Sequence, residues 1–204
     1  MHRRPGGACA SYFAPIAQLD RATDYESVGQ RFESSWARHF FRLFLRSWLM
    51  SEAVHRTDEE YMRLALAEAA NAAAAKETPI GAVLVIGNEV IASAHNMRET
   101  WQDPMAHAES IVLRDASARL SRWRLTDATV YVTMEPCLMC AGALVLARVG
   151  RLVYGCRDPR AGALGSVYDV VRDGRLNHVY RITPGVLEAE CGAIVREFFE
   201  KLRA

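Results

Sequence analysis

Apolar and polar positions alternate along this chain in two different rhythms, and the switches between them outline the elements. Thr57-Asp58-Glu59-Glu60 reads as a capping box, with Thr57 and Glu60 as partners. The alanine-rich segment behind it, up to Lys76, favours a helix by propensity. Gly81 to Ile86 and Glu89 to Ala94 read as two strands around the Gly87-Asn88 turn. Pro104 suits the opening of a helix, with Ile111, Val112 and Leu113 supplying an apolar face soon after. Thr129 to Thr133 predicts a strand, Leu138 to Arg148 a helix behind Pro136, and Arg151 to Tyr154 another strand. His178 to Thr183 predicts a last strand, and Leu187 to Leu202 repeats apolar residues at helical spacing. Strands alternating with helices argue for a sheet covered by helices.

The stretch Pro136-Cys137-Leu138-Met139-Cys140 then raises a chemical question. A CxxC pair can be a redox dithiol, half of a four-cysteine zinc site, or chance. The chain has five cysteines: Cys9, Cys137, Cys140, Cys156 and Cys191. An odd count and the lack of a second CxxC argue against a disulfide framework and against an all-cysteine metal site. No signal peptide with a clean apolar core is visible. Phe40 to Leu49 is interrupted by Arg42 and Arg46, so it does not span a bilayer. These features predict a reducing, cytoplasmic setting and no membrane partner.

His107-Ala108-Glu109 lies about thirty residues upstream of the cysteines. Both motifs sit near the start of an expected helix, where partial positive charge favours thiolates. His107, Cys137 and Cys140 would give zinc three protein ligands and leave the fourth position to water, the arrangement of a catalytic site. Glu109 is too close to His107 to be a convenient fourth ligand in the same turn. It can face the water instead and carry protons to a ring nitrogen and to departing ammonia.

His-Ala-Glu followed by Pro-Cys-x-x-Cys is the signature of the zinc deaminases. From about Asp58 to Leu202 the chain resembles bacterial tRNA-specific adenosine deaminase, of the cytidine deaminase superfamily. Matching stretches are Glu77 to Val85, Asp103 to Glu109, Leu125 to Thr133, Gly155-Cys156-Arg157-Asp158 with Gly162 to Ser166, and Leu187 to Cys191. The resemblance implies a three-layer α/β/α fold with a mixed central sheet of about five strands, cytidine deaminase-like. It implies one zinc ion (Zn2+) per subunit, a homodimer, and hydrolytic deamination of adenosine to inosine at the first anticodon base of an arginine tRNA. Asn96 would then contact the flipped nucleotide, and Ala108 belongs to the same substrate-binding set. Arg157 and Asp158 would touch the anticodon stem-loop, with Phe198 and Phe199 beside it on the terminal helix. The family commonly has Trp-Asn-Arg where this chain has His95-Asn96-Met97, so Asn96 alone carries over. The alternatives are a free-base or nucleotide deaminase acting on guanine or cytosine, and an RNA-binding pseudoenzyme with structural zinc.

Other residues have plainer expectations. His95 and His178 read as structural or surface residues, and Cys156 and Cys191 as buried small apolar ones. Met134 and Met139 should pack beside the site. The Glu135 carbonyl can accept from a leaving amino group, while its side chain has no role that the sequence assigns. Ile194 and Leu202, at helical spacing from the two phenylalanines, place at least one of Phe198 and Phe199 in the core.

Residues 1–49 stand apart from residues 50–204, the expected zinc-dependent deaminase domain. Ile16 to Ala22 is encodable as ATA GCT CAG TTG GAT AGA GCA, which looks like the D arm of a tRNA gene. Arg31-Phe32-Glu33-Ser34 is encodable as CGG TTC GAA TCC, which looks like its T arm, and Tyr25-Glu26 read as TAC GAA places ACG in the anticodon. The first 49 residues therefore read as conceptual translation of an upstream tRNA gene, with the true start at Met50; the alternative is a genuine, disordered extension that helps bind RNA. They hold seven Arg and four acidic residues, a balance of +3, which leaves −2 for the remainder of a chain at +1. Net charge therefore gives no argument for nucleic acid, and any footprint on RNA must be local. Mass spectrometry of protein from its native host is expected to find a mature chain beginning near Met50; one beginning near Met1 refutes the mis-start.

Overall fold

The computed structural model describes residues 56–203. The expectations for residues 1–49 lie outside the described residues. Helix α1 (Asp58–Ala74) opens with the expected capping box: the Glu60 N–H donates to Thr57 Oγ1, and the Thr57 N–H donates to the Glu60 carboxylate at 2.6 Å. Such a cap is worth about 1 kcal/mol. Strands β1 (Gly81–Ile86) and β2 (Glu89–His95) form an antiparallel hairpin whose turn uses Gly87 at φ 60°. A short helix, α2 (Arg98–Trp101), follows, then α3 (Ala108–Leu120), β3 (Ala128–Met134), α4 (Leu138–Leu146) and β4 (Arg151–Cys156). A 3-10 turn over Val171–Asp173, strand β5 (Arg181–Thr183) and helix α5 (Glu188–Arg203) complete the chain.

The sheet order is β2-β1-β3-β4-β5. The β1 strand pairs antiparallel with β2 and β3, while β3, β4 and β5 run parallel, so the sheet is mixed. Its two faces are read from alternation along the strands. Ala82 and Leu84 of β1 join Val130, Val132 and Leu152 in a core shared with Ile111, Val112, Leu144 and Val145 of α3 and α4. Val83 and Val85 point the other way and join Tyr131 and Val153 under Tyr61, Met62 and Ala65 of α1, with Cys191 of α5. The result is the three-layer α/β/α fold of cytidine deaminase-like proteins. Gly81 shows how closely α1 lies on the sheet, since a Cβ there would sit 2.1 Å from the Ala65 carbonyl oxygen.

Three expected boundaries move, each for a local reason. The α3 helix opens at Ala108 rather than at Pro104, because Asp103 forms a turn of its own: its side chain accepts from the Met105 N–H at 2.8 Å and its carbonyl from the Ala106 N–H. The α4 helix closes at Leu146 because Arg148 takes a left-handed φ of 59°. The Val149 N–H then reaches the Leu144 carbonyl and the Arg148 N–H that of Val145, a Schellman closure. The last strand keeps only Arg181–Thr183, because upstream side chains turn inward: His178 Nε2 bonds the Val149 carbonyl at 2.8 Å and the Tyr180 hydroxyl donates to the Ala141 carbonyl.

One carboxylate ties the first helix to three strands. Asp58 accepts from Arg151 Nη1 at 2.9 Å, Arg151 Nη2 at 2.6 Å and the Tyr131 hydroxyl at 2.9 Å, and Arg151 Nη2 also donates to Thr183 Oγ1. Burial pushes the Asp58 carboxyl up, but the Arg151 and Tyr131 hydrogen bonds with the Arg151 charge outweigh it and hold it below its ordinary value. A carboxyl depressed in the folded state adds stability above its unfolded pKa, and that stability fades as pH falls through the folded value. Asp58→Asn should therefore cost about 1–2 kcal/mol at neutral pH, discounted for partial exposure. Urea unfolding should show the gap to wild type narrowing as pH falls below the ordinary aspartate range.

Candidate metal centre and catalytic cleft

Two helix N-termini meet at one point beside the parallel half of the sheet. His107 is the N-cap residue of α3, Cys137 is the N-cap residue of α4, and Cys140 lies in the first turn of α4. The donors of His107, Cys137 and Cys140 all lie within 4.8 Å of one another. His107 Nδ1 is 3.7 Å from Cys137 Sγ and 3.6 Å from Cys140 Sγ. Tetrahedral zinc with ordinary Zn–S and Zn–N bonds would set such pairs about 3.5 Å apart. The set therefore fits a zinc ion with three protein ligands and one position left for a small ligand.

The three donors perturb one another strongly. The hydrogen bond from Cys140, helped by His107, outweighs burial and pulls the Cys137 thiol down to about 4. Its partner moves the opposite way: the hydrogen bond to Cys137, then burial, push the Cys140 thiol far up. The sulfurs thus share one proton, with thiolate character on Cys137. The Cys137 hydrogen bond raises His107 above its ordinary value against the pull of burial. A sulfur-seeking divalent cation takes the place of that shared proton and relieves the repulsion between two anionic sulfurs. Ser110 Oγ lies 3.8 Å from Cys140 Sγ, a further polar neighbour.

Glu109 lies one residue into α3, 4% exposed, and its carboxyl is pushed up chiefly by burial. With His107 and Cys137 it lines a cleft of about 920 Å³. Cys156 at the end of β4, Arg157 and Asp158 just after it, and Val195, Arg196 and Phe199 of α5 line the same cleft. Arg98, Arg160 and Arg203 line the same cleft.

The residues singled out in the sequence distribute unevenly around this cleft. Arg157, Asp158 and Phe199 line it. Phe198 is half-buried and meets Phe199 edge-on, with ring centroids 5.4 Å apart. The expectation that one of these two rings lies in the core is not met: Cys191 is the buried residue of α5, and Phe199 is 37% exposed. The terminal helix meets the sheet along a narrow apolar strip around Cys191, so helical spacing alone overstates how much of it is covered. Asn96 is buried, with its Nδ2 donating to Glu77 at 3.0 Å. Ala108 is fully buried and lies outside the cleft lining. His95 pairs with Glu68 at 2.9 Å, outside the cleft lining, and Cys156 and Cys191 are buried, as the sequence suggests.

Two carboxylates escaped the sequence reading. Glu77 is fully buried and accepts from Asn96 and, at 2.6 Å, from the Thr100 N–H. Burial pushes its carboxyl up, but the Thr100 and Glu99 backbone donors outweigh that. Glu135 is 2% exposed and is held by backbone donors from the loop that follows β4. For Glu135 the available signal was a single charge behind an apolar strand, whereas Glu77, next to Lys76, gave none.

Comparisons with known proteins agree with this geometry. A family model described as MafB19-like deaminase matches residues 56–203. The tRNA-specific adenosine deaminase of Bacillus subtilis is 51% identical over 146 residues, covering 72% of this chain and 91% of that protein. The chain belongs to the bacterial tRNA-specific adenosine deaminase family. The Haemophilus influenzae member is 44% identical over 147 residues, covering 72% of this chain and 85% of its own length. Among solved structures, one from a study of A-to-I editing by tRNA:A34 deaminases superposes with a TM-score of 0.65 at 42% identity, over 66% of this chain and 98% of that one. A guanine deaminase from Nitrosomonas europaea superposes with a TM-score of 0.59 at 26% identity, over 69% and 83% of the two chains.

For this deaminase, metal analysis of the purified protein is expected to find about one zinc per chain. Cys140→Ser should reduce it to about a tenth or less, since loss of one thiolate costs the site most of its affinity.

Proposed function

We propose that this protein hydrolyses adenosine to inosine in tRNA, at the first anticodon base of the arginine tRNA that carries ACG. The single observation that carries this reading is the convergence of His107, Cys137 and Cys140 beside buried Glu109 at the floor of a cleft, in a chain 51% identical to a protein named for that activity. The ACG assignment leans on the resemblance of the sequence.

Water and adenosine give inosine and ammonia: a C–O bond forms at the ring carbon that loses its amino group. Zinc held by His107, Cys137 and Cys140 supplies, when bound, the Lewis acidity that activates water at this floor. Glu109 takes one proton of the water and passes it to the adjacent ring nitrogen, then takes the second from the newly added hydroxyl and gives it to the amino group as it leaves. Burial helps here, because a carboxyl screened from bulk solvent exchanges its proton with the substrate rather than with water. The target base is splayed out of the loop into the cleft, at a lower cost than in a duplex. Asn96, Ala108, Arg157, Asp158 and the Phe198–Phe199 pair would orient it and its neighbours, with aromatic stacking as the natural part for the rings.

The same reading includes a homodimer and residence in the cytoplasm, where reduced thiols and tRNA coexist. An exposed apolar surface supports the dimer: Trp123 and Leu146 border a groove with Leu113, Ala143 and Ala147 between α3 and α4, and Leu138 is 53% exposed nearby. Among the described residues no helix is long and apolar enough to cross a membrane. A free-base deaminase is the second reading, favoured by the superposition on guanine deaminase at lower identity.

The deciding assay incubates purified protein with an ACG anticodon stem-loop and, separately, with free guanine and cytosine. A-to-G readout at the first anticodon position is expected, with no ammonia from the free bases. Glu109→Ala should keep the zinc and the fold while cutting kcat by at least about a thousandfold. Ammonia from guanine with an unedited stem-loop would sink the tRNA reading. In light-scattering chromatography the protein should run at twice its chain mass.

A further inference from the structure

The loop of residues 157–166 brings Arg157 and Asp158 to the cleft, and it is held by a carboxylate that the reaction does not use. Glu135 sits between the end of β3 and Pro136, 2% exposed. Its Oε1 accepts from the Leu164 N–H at 2.9 Å and the Ser166 N–H at 3.2 Å. Its Oε2 accepts from the Asp158 N–H at 3.2 Å and from the Ser166 hydroxyl. Four donors from one loop thus converge on one buried charge. An ionised carboxylate is costly to bury without such donors, so this loop conformation and this charge require each other.

Two further observations show that the loop is built around that group. A Cβ at Gly162 would lie 2.5 Å from Glu135 Cδ and 2.6 Å from Oε2, so only glycine lets the loop backbone come this close. The backbone on either side is strapped as well: the Ala163 N–H donates to the Pro136 carbonyl at 2.9 Å, and Cys137 and Gly162 form an isolated antiparallel bridge. The segment that delivers Cys137 to the metal cluster is therefore the segment that holds the loop.

We propose that Glu135 is a positioning residue for substrate recognition: its buried carboxylate sets the 157–166 loop so that Arg157 stands at the cleft and engages the RNA strand next to the target nucleotide. This rests on the tRNA reading given above. Glu135 lines the cleft, but both oxygens of its carboxylate are committed to the loop donors rather than left to a ligand. It acts through Arg157, whose exposed guanidinium would otherwise sample many positions and bind phosphate weakly. A Glu135 that only stabilised the fold would have no special relation to Arg157.

The test is a double-mutant cycle on the full chain, with steady-state deamination of the ACG stem-loop. Glu135→Gln keeps the size of the side chain but cannot accept four donors. It should raise KM about tenfold, with kcat falling less than about threefold and about one zinc per chain retained. In an Arg157→Ala background the same substitution should raise KM by less than about threefold. Persistence of the full factor in that background, or an unchanged KM, overturns the proposal, as does loss of zinc with a parallel collapse of kcat. Should Glu135→Gln fail to fold, Ser166→Ala removes one donor and leaves β3 and Pro136 intact. Its KM should rise about threefold, and this rise too should vanish when Arg157 is absent; persistence there overturns the proposal. Wild-type protein that leaves the stem-loop unedited overturns the function itself, whereas an active wild type with an indifferent Glu135→Gln overturns only the positioning role.

Discussion

Two sulfurs and an imidazole crowded within 4.8 Å of each other are the constraint around which this structure is organised. Left to themselves they must share protons, because two thiolates so close repel strongly in a half-buried setting. Two helix N-termini aimed at the same point offset part of that repulsion, and a divalent cation removes the remainder. The fold supplies this meeting point through the β3-α4-β4 crossover. In parallel strands the chain must return across the sheet, and the helix that carries it back begins at the carboxyl end of β3, where Cys137 stands. The antiparallel β1-β2 hairpin has no such return, and α3 then leads into the same corner with His107 at its first turn.

Legibility in the sequence followed the range of the interactions. The metal ligands could be read because their spacing is local: two cysteines flank one helical turn, and a histidine and a glutamate flank one residue. The strands β1 to β4 could be read because each has an apolar face on both sides or an alternating pattern, and the Thr57–Glu60 cap because its partners are three residues apart. What could not be read depends on long-range partners. The place of Glu77 is set by Asn96 and Thr100, and that of Glu135 by residues 23 to 31 positions away. The short α2 helix has no buried residue to announce it. The terminal helix misled in the opposite direction, since its apolar periodicity serves the lining of a cleft as well as a core, and Phe199 belongs to the lining.

The cleft is asymmetric in rigidity as well as in chemistry. Its floor is made of helix starts locked to the central strands, while its far wall is a loop and the terminal helix. Two buried carboxylates, Glu77 and Glu135, hold loop backbone in place, each by gathering donors that would otherwise lack partners. Deaminases that share this floor can thus accept different substrates by changing the wall, and the similarity to both a tRNA deaminase and a guanine deaminase fits that division.

The brevity of β5 has a consequence for how this protein can associate with others. Three residues offer too short a row of free backbone groups to template another strand. At the opposite border, the Arg119 guanidinium already occupies the Ile91 carbonyl of β2 at 2.5 Å. Pairing of the sheet from copy to copy is disfavoured at these two places, which leaves the helical faces as the broader surfaces for association.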